Sequence, residues 1–392
     1  MQKTFHAKTL PLRGDEREMF VGRTEELSYV KEMLESGLNC AISGHPGIGK
    51  TTFLNILESE LMPTYTVIRL SIPSTDPETF YKKLLFALTT CFADTIPPSI
   101  REKLLYTQEM MTLSRGLLYG ETLGEKEERK ILSFMREVIK NPDEHQARLY
   151  TLEELRAACI DIISSIQKKL IIIIDDMDKV FARSVHEPRD QVERLYLFLT
   201  ELGDVIHIPK SVWLFSLHGD IYEQLEKYVL MQNDSILLSF INDIIPLKPF
   251  TPEESKKICD NRTGVDVFSY FTHAAFRLML AVSKGNPRLL LYTAAKALKY
   301  AGQDTVTTDS LLAALRANLP MDIRDLMILK CAAEKPFIIA GDPELRETVG
   351  LDTISISQRL SELTNKRLLI NDYDDSQKVY RLVYVHDAFT EE

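Results

Sequence analysis

The sequence predicts an α/β fold: a parallel sheet covered by helices on both faces, followed by a helical lid and a C-terminal winged helix. Three observations carry this. Up to about residue 250, short continuous apolar runs, the strongest being Leu170-Ile171-Ile172-Ile173-Ile174, alternate with helical patterns. Strands buried on both faces read this way, without period-two alternation. Beyond Pro249 the periodicity becomes helical only. The C-terminal stretch then carries three helical segments and two strand-like ones about a polar turn, the order of a winged helix.

Taken in order, residues 1–19 are expected as a flexible arm, with Lys3, Lys8 and Arg13 and no acid until Asp15. A core over 20–250 opens with a helix over 25–34, where Leu27, Val30 and Leu34 recur at helical spacing. A strand over 39–43, a helix from Thr52 and a strand over 67–72 follow. The next clear strand begins at Leu170, too far for one crossover helix. The gap reads as helices over 80–92, 101–118, 131–139 and 152–166, with a helical insertion at about 95–150. Residues 101–150 hold nine Lys/Arg and nine Asp/Glu, so nothing there draws nucleic acid; the segment is either a packed cap or a docking surface for a protein partner. A helix over 189–202 and strands over 212–215 and 244–247 complete the core. A lid over 251–318 shows helices over 252–260, 269–282 and 288–301, the first behind the capping box Thr251-Pro252-Glu253-Glu254. The winged helix over 319–392 has helices over 323–333, 343–349 and 355–366, then strands over 367–370 and 379–385 flanking a turn at 371–377.

Lys+Arg 47 against Asp+Glu 57 gives a net charge of −10, so any contact with nucleic acid has to be local. Five widely spaced cysteines without a CxxC pair argue against a disulfide framework or a zinc site, and fit buried thiols in a reducing compartment. The longest aliphatic run, residues 170–174, is far short of a membrane span. A cytoplasmic protein without membrane contact is expected.

The chemistry centres on Gly44-His45-Pro46-Gly47-Ile48-Gly49-Lys50-Thr51, a complete GxxxxGK[ST] loop behind a strand and ahead of a helix. Glycines let the backbone curl so that successive N–H groups, with Thr52 opening the helix, point at phosphates. Lys50 neutralises β/γ charge and the Thr51 hydroxyl suits Mg²⁺. This pattern implies a P-loop NTPase that binds ATP or ADP with Mg²⁺. Such a site also needs an acid at the end of a strand adjacent to the loop, where Asp175 is placed to hold the metal. Asp176 then accepts a proton from the attacking water, its short reach suiting slow hydrolysis. Ser216-Leu217-His218 ends the next strand, with His218 the preferred γ-phosphate sensor and Ser216 the second candidate. In Gly285-Asn286-Pro287-Arg288, Arg288 heads a lid helix and can meet phosphate oxygens bidentately.

Together with Phe20-Val21-Gly22-Arg23, Glu26, Ile174-Asp175-Asp176-Met177-Asp178 and the stretch Ile245-Pro246-Leu247-Lys248-Pro249-Phe250-Thr251, these pieces resemble the AAA+/STAND group of P-loop ATPases. The likeness is strongest to the origin-recognition and archaeal initiator-type clade and its related archaeal ATPases, and spans most of the chain. The resemblance implies that Val21, Gly22 and Arg23 line the adenine pocket. It also implies that ATP/ADP exchange reorients lid and winged helix, with oligomerisation on ATP binding open to the chain. Three departures stand out. No arginine lies between Arg194 and Arg262, where a trans-acting finger is commonly found; Arg183, Arg189 or Arg194 are the substitutes available. Residues 320–392 hold nine Lys/Arg against fourteen Asp/Glu, with Asp372, Asp374 and Asp375 in the wing. The helical insertion is the third.

A nucleotide-driven switch is therefore expected. In one form it acts with double-stranded DNA, as an initiator, loader or mobile-element regulator, through Gln358, Arg359, Asn365, Lys366 and Arg367 of the 355–367 helix. In the other it is a signalling or defence ATPase whose acidic winged helix meets only protein. A small-molecule kinase would need neither lid nor winged helix.

Overall fold

The computed structural model describes residues 10–72, 76–92, 151–175, 177, 188–219, 224–225, 227–228, 240–302, 304–318, 321–374 and 377–383. The helices expected over 101–118 and 131–139, and with them the insertion, lie outside the described residues, as do Asp176, Asp178 and Arg183. The elements run α1 Thr24–Ser36, β1 Cys40–Ser43, α2 Lys50–Leu61, β2 Thr66–Ser71, α3 Pro77–Cys91, α4 Leu152–Ser165, β3 Leu170–Asp175, α5 Pro188–Glu201, α6 Gly203–Ile206, β4 Ser211–Leu217 and β5 Asp243–Pro246. They continue with α7 Pro252–Thr263, α8 His273–Ser283, α9 Pro287–Ala301, α10 Thr308–Asn318, α11 Ile323–Glu334, α12 Pro343–Val349, α13 Thr353–Asn365, β6 Leu369–Asp374 and β7 Gln377–Leu382. By contacts the chain divides into two units. One holds Glu25–Gly44 and Glu58–Pro246; the other holds Met1–Thr24, His45–Leu57 and Leu247–Glu392.

The first unit is built on a parallel sheet of order β2-β3-β4-β1-β5. On one face Ile172, Ile174, Trp213 and Phe215 are buried with Phe80, Leu84, Leu155, Cys159 and Phe198 from the helices. The Phe80 and Phe198 rings meet edge to face at 5.5 Å, a geometry their quadrupoles favour. Register puts Arg69, Ile173 and Asp175 on the opposite face, since Arg69 pairs with Ile173 and Ser71 with Asp175. The acid's strand was expected adjacent to the phosphate loop, but β4 lies between β3 and β1. All seven residues of β4 are buried, which suits a central strand, and spacing along the chain carries no record of lateral order.

In the second unit the helices and the hairpin share one hydrophobic core, running from Cys259, Phe276 and Leu290 through Leu311 and Leu329 to Leu360, Tyr380 and Leu382. Short polar caps set the helix starts: Thr251, Thr272, Asp322, Asp342 and Asp352 each accept a backbone N–H of the first turn. Because Thr272 is such a cap, α8 begins at His273, later than the start expected at 269. The preceding Val267–Ser269 forms a 3-10 turn, and Phe271 bridges to Val306. Helix α10 was not expected, although Leu311, Ala314 and Leu315 are buried at helical spacing. The three helices α11–α13 and the antiparallel pair β6–β7 follow the winged-helix order. The turn expected over 371–377 is shorter, because β6 continues through Asn371 and Asp372, which pair with Tyr380 and Val379. Acidic side chains on an exposed edge strand read as a turn from sequence.

The flexible arm expected over 1–19 needs correction over its described part; residues 1–9 lie outside the described residues. Gly14–Met19 forms a 3-10 helix and Leu12 is buried. The Leu12 N–H donates to Thr52 Oγ1 at 3.3 Å, and Asn55 Nδ2 donates to Leu12 O at 2.5 Å. Of the cysteines, Cys91 is exposed and the other four are buried, all as free thiols. Among the described residues no helix is long and apolar enough to cross a membrane.

Candidate functional site

Strand β1 ends at Ser43 and hands the chain to the glycine-rich loop; the Gly44 N–H donates to Leu217 O at 3.3 Å. Gly47 and Gly49 take φ of 83° and 104°, in the left-handed region that glycine alone enters without strain. A Cβ on Gly47 would stand 2.8 Å from Asn286 Oδ1. The loop closes with Ile48 N–H donating to His45 O at 3.2 Å and Phe53 N–H to Gly49 O at 2.9 Å. Ile48 and Lys50 are buried, while Thr51 and Thr52 are half-buried in the first turn of α2. A helix start of this kind presents unpaired N–H groups and the positive dipole end to an anion.

Two segments of the same unit close on the loop. Asn286 Nδ2 donates to Pro46 O at 2.8 Å, and the Arg288 N–H lies 3.4 Å from Gly47 O. The same Asn286 caps α9, its Oδ1 accepting from Arg288 N at 3.1 Å and Leu289 N at 3.2 Å. The exposed Arg288 lines a cavity of about 610 Å³ with Pro11, Pro46, Asn286, Leu289 and Tyr292. Val21 packs with Phe250, Ile258 and Leu291. Gly22 has φ 64°, and Arg23, at φ 57°, lays its guanidinium 4.1 Å from the Phe250 ring centroid and donates to Lys248 O at 3.1 Å. A Cβ on Gly49 would lie 3.2 Å from Arg23 Nη1. Thus Arg23 and Arg288 approach the loop, while Val21 and Gly22 lie against Phe250 beside Arg23.

Asn286 was missed as a site residue, and only its position before Pro287 could have signalled a cap. Asn286→Ala is expected to destabilise the unit by about 1 kcal/mol; urea unfolding followed by circular dichroism checks this. The turn also reaches the other way: Lys284, at φ 50°, donates through Nζ to Lys366 O at 2.6 Å. Burial, and secondarily Arg367, hold the Lys284 ammonium below the usual lysine pKa.

In the sheet unit, Asp175 at the end of β3 is buried, and Arg69 Nη2 donates to its Oδ2 at 2.5 Å. Arg69 Nη1 also meets Glu58 Oε2 at 3.3 Å. Ile174 pairs with Phe215, so Ser216 on β4 is the next residue across from Asp175. The Ser216 hydroxyl is buried and has no hydrogen-bond partner among the described residues. His218 follows Leu217, the residue opposite Ser43, and is half-buried beside the start of the loop. Arg194 is exposed on α5.

The basic residues in and just after α13 are engaged within their own unit. Arg359 Nη1 lies 2.6 Å from Oδ1 of the buried Asp325 and 3.2 Å from Asp322; Lys366 Nζ lies 3.4 Å from Asp325 Oδ2. The hydrogen bond to Asp325 raises the Arg359 pKa.

A parallel sheet of this order, with a glycine-rich Lys-Thr loop leading from β1 into a helix, defines a P-loop nucleoside triphosphatase. Residues 34–215 match the family model described as AAA domain, a similarity that accords with an ATPase. No curated protein matches the chain. Among solved structures, the chain is similar to the ORC1 protein of Aeropyrum pernix in complex with DNA, at 13% identity and TM-score 0.44, over 94% of both chains. The ORC2 protein of the same organism, in ADPNP-ADP complexes, shows 16% identity and TM-score 0.43 over 98% of this chain and 93% of that one. A Walker-type ATPase of Pyrococcus abyssi shows 15% identity and TM-score 0.41 over 96% of both.

Proposed function

We propose that the protein is an ATP-dependent conformational switch in which the nucleotide held on the loop at Gly44 to Thr52 sets the placement of the lid and winged helix. The turn from Lys284 to Arg288 carries this reading, because Asn286 bonds the loop at Pro46 while Lys284 bonds the winged helix at Lys366. Lid and winged helix share one core, so a shift of α9 displaces both. Lys50 and the loop N–H groups hold the phosphates, Arg288 reads the γ-phosphate, and Val21, Gly22 and Arg23 border the base. Asp176 takes the proton of the attacking water and His218 orients that water. For Mg²⁺, Thr51 and Asp175 supply the hard oxygen donors it takes, and the unpartnered Ser216 hydroxyl beside Asp175 fits a hydrated cation. When bound, Mg²⁺ would neutralise phosphate charge. Asp176→Asn is expected to keep ADP affinity within about twofold while slowing turnover at least tenfold; calorimetry and phosphate release check both halves.

Amide exchange measured with ADP and with a non-hydrolysable ATP analogue tests the switch. Protection that differs in α13 and β6–β7 between the two supports it; identical protection in that region overturns it.

A second reading, in which the winged helix meets protein alone, is favoured by the ion pairs of Arg359 and Lys366 with Asp325 and by exposed Asp372 and Asp374 on β6. Each cation so held adds less to the binding of a polyanion, and acids beside it repel phosphates. The DNA form predicts salt-dependent duplex binding that a Lys366/Arg367 double alanine variant loses, and the protein form predicts none. The insertion is the candidate partner-docking segment, and assembly on ATP would draw its arginine from outside residues 195–261.

A further inference from the structure

We propose that Arg69 is a positioning residue for the metal acid, setting the divalent-cation concentration at which the nucleotide site fills; this rests on the reading of Asp175 as the Mg²⁺ acid. Three charges meet on one side of the sheet unit. Arg69 stands on β2 opposite Ile173, two residues before the Ser71 and Asp175 pair and on the same face, so its side chain reaches diagonally to the Asp175 carboxylate. Its Nη2 is 2.5 Å from Asp175 Oδ2 and its Nη1 is 3.3 Å from Glu58 Oε2 on α2. Asp175 is 4% exposed, and a carboxylate so buried needs a counter-charge when no cation is present. Arg69 supplies it, and Glu58 holds the guanidinium from the other end.

The consequence follows from charge. Glu58, Arg69 and Asp175 together carry one negative charge, and a divalent ion approaching Asp175 is repelled by the guanidinium. Without Arg69 the two carboxylates carry two negative charges and attract the ion more strongly. Without Glu58 the remaining Arg69 and Asp175 pair sums to zero charge, one unit less negative than before, and the ion is attracted less. Arg69 therefore lowers the cation affinity of an empty site while keeping its acid in place, and Glu58 moderates that effect. The sequence could not show this, because β2 reads as an apolar strand with one basic residue.

The test is a Mn²⁺ titration of the full chain, free Mn²⁺ being read by electron paramagnetic resonance at fixed ADP, with ADP binding measured separately. Arg69→Gln is expected to lower the half-saturating Mn²⁺ about tenfold, and Glu58→Gln to raise it a few-fold. Opposite shifts support the assignment. A purely structural role for Arg69 predicts that both variants weaken Mn²⁺ binding, so shifts in the same direction, or none, overturn it. Should Arg69→Gln not fold, Glu58→Gln decides alone, since the Glu58 side chain is half-buried and keeps 24% of its surface in solvent: a rise supports the proposal, and no change or a fall overturns it. Failure of wild type to bind ADP with Mn²⁺ would overturn the nucleotide reading itself, a result distinct from unchanged titrations in the variants.

Discussion

Replacing Lys50 with alanine is expected to abolish tight binding of ATP and ADP, weakening it by about 3–5 kcal/mol, or roughly 10²–10³-fold and beyond. The estimate comes from its position. Lys50 is the first residue of α2 and is buried, so its ammonium acts where solvent screens little. A hydrogen bond to a charged partner contributes about 1.5–3 kcal/mol, and an ammonium has three donors to share among phosphate oxygens. The backbone N–H groups of the loop remain in the variant, so residual weak binding is expected. Titration with a fluorescent ADP analogue measures the change, with thermal unfolding as a check that the fold persists. An affinity within threefold of wild type would remove Lys50 from the site.

The second large effect is expected at Gly285. With φ 69°, it occupies backbone space that costs other residues about 1–2 kcal/mol. A Cβ there would stand 2.3 Å from Phe250 O and 2.9 Å from Phe250 N, both backbone atoms that have no rotamer to yield. The backbone would have to move, and with it the 3.0 Å hydrogen bond from Phe250 N–H to Gly285 O. Gly285→Ala is therefore expected to destabilise its unit by at least about 3 kcal/mol, read in urea or thermal unfolding. Where the variant remains folded, amide exchange in α13 should no longer depend on the nucleotide. The residue separates the contact with the loop, at Asn286, from the contact with Lys366 after α13, at Lys284. By contrast Gly264 and Gly302 have positive φ with open space around the added Cβ, so alanine there carries the conformational cost without the collision.

Much of this was legible from residues 39–57 and 170–175 alone. An apolar run, a glycine-rich turn with Lys and Thr at its end, and a helical start are local patterns with local causes, and the structure bears them out as β1, the loop and α2. The same holds for β3, whose isoleucines demand burial on both faces, and for α12, which runs over residues 343–349 as expected because Asp342 caps it and Gly350 ends it at φ 67°. The hairpin turn was misread because Asp372 and Asp374 are polar residues on an exposed strand. Residues 10–19 of the arm were misread because one buried side chain, Leu12, makes no periodic pattern.

What the sequence by itself determined is therefore most of the strands and helices of the described residues and the presence of a phosphate-binding loop, since both arise from interactions within a few residues. Only the tertiary structure decided that β4 lies between the loop's strand and the acid's strand. The same is true of the pairing of Arg69 with Asp175 across 106 residues, of Asn286 with Pro46 across 240, and of Asp325 with Arg359 on α13 and Lys366 at its end. These pairings depend on lateral strand order, register and the packing of whole elements, which local periodicity does not encode. They matter because a cation already held by a buried carboxylate has a different role from one facing solvent.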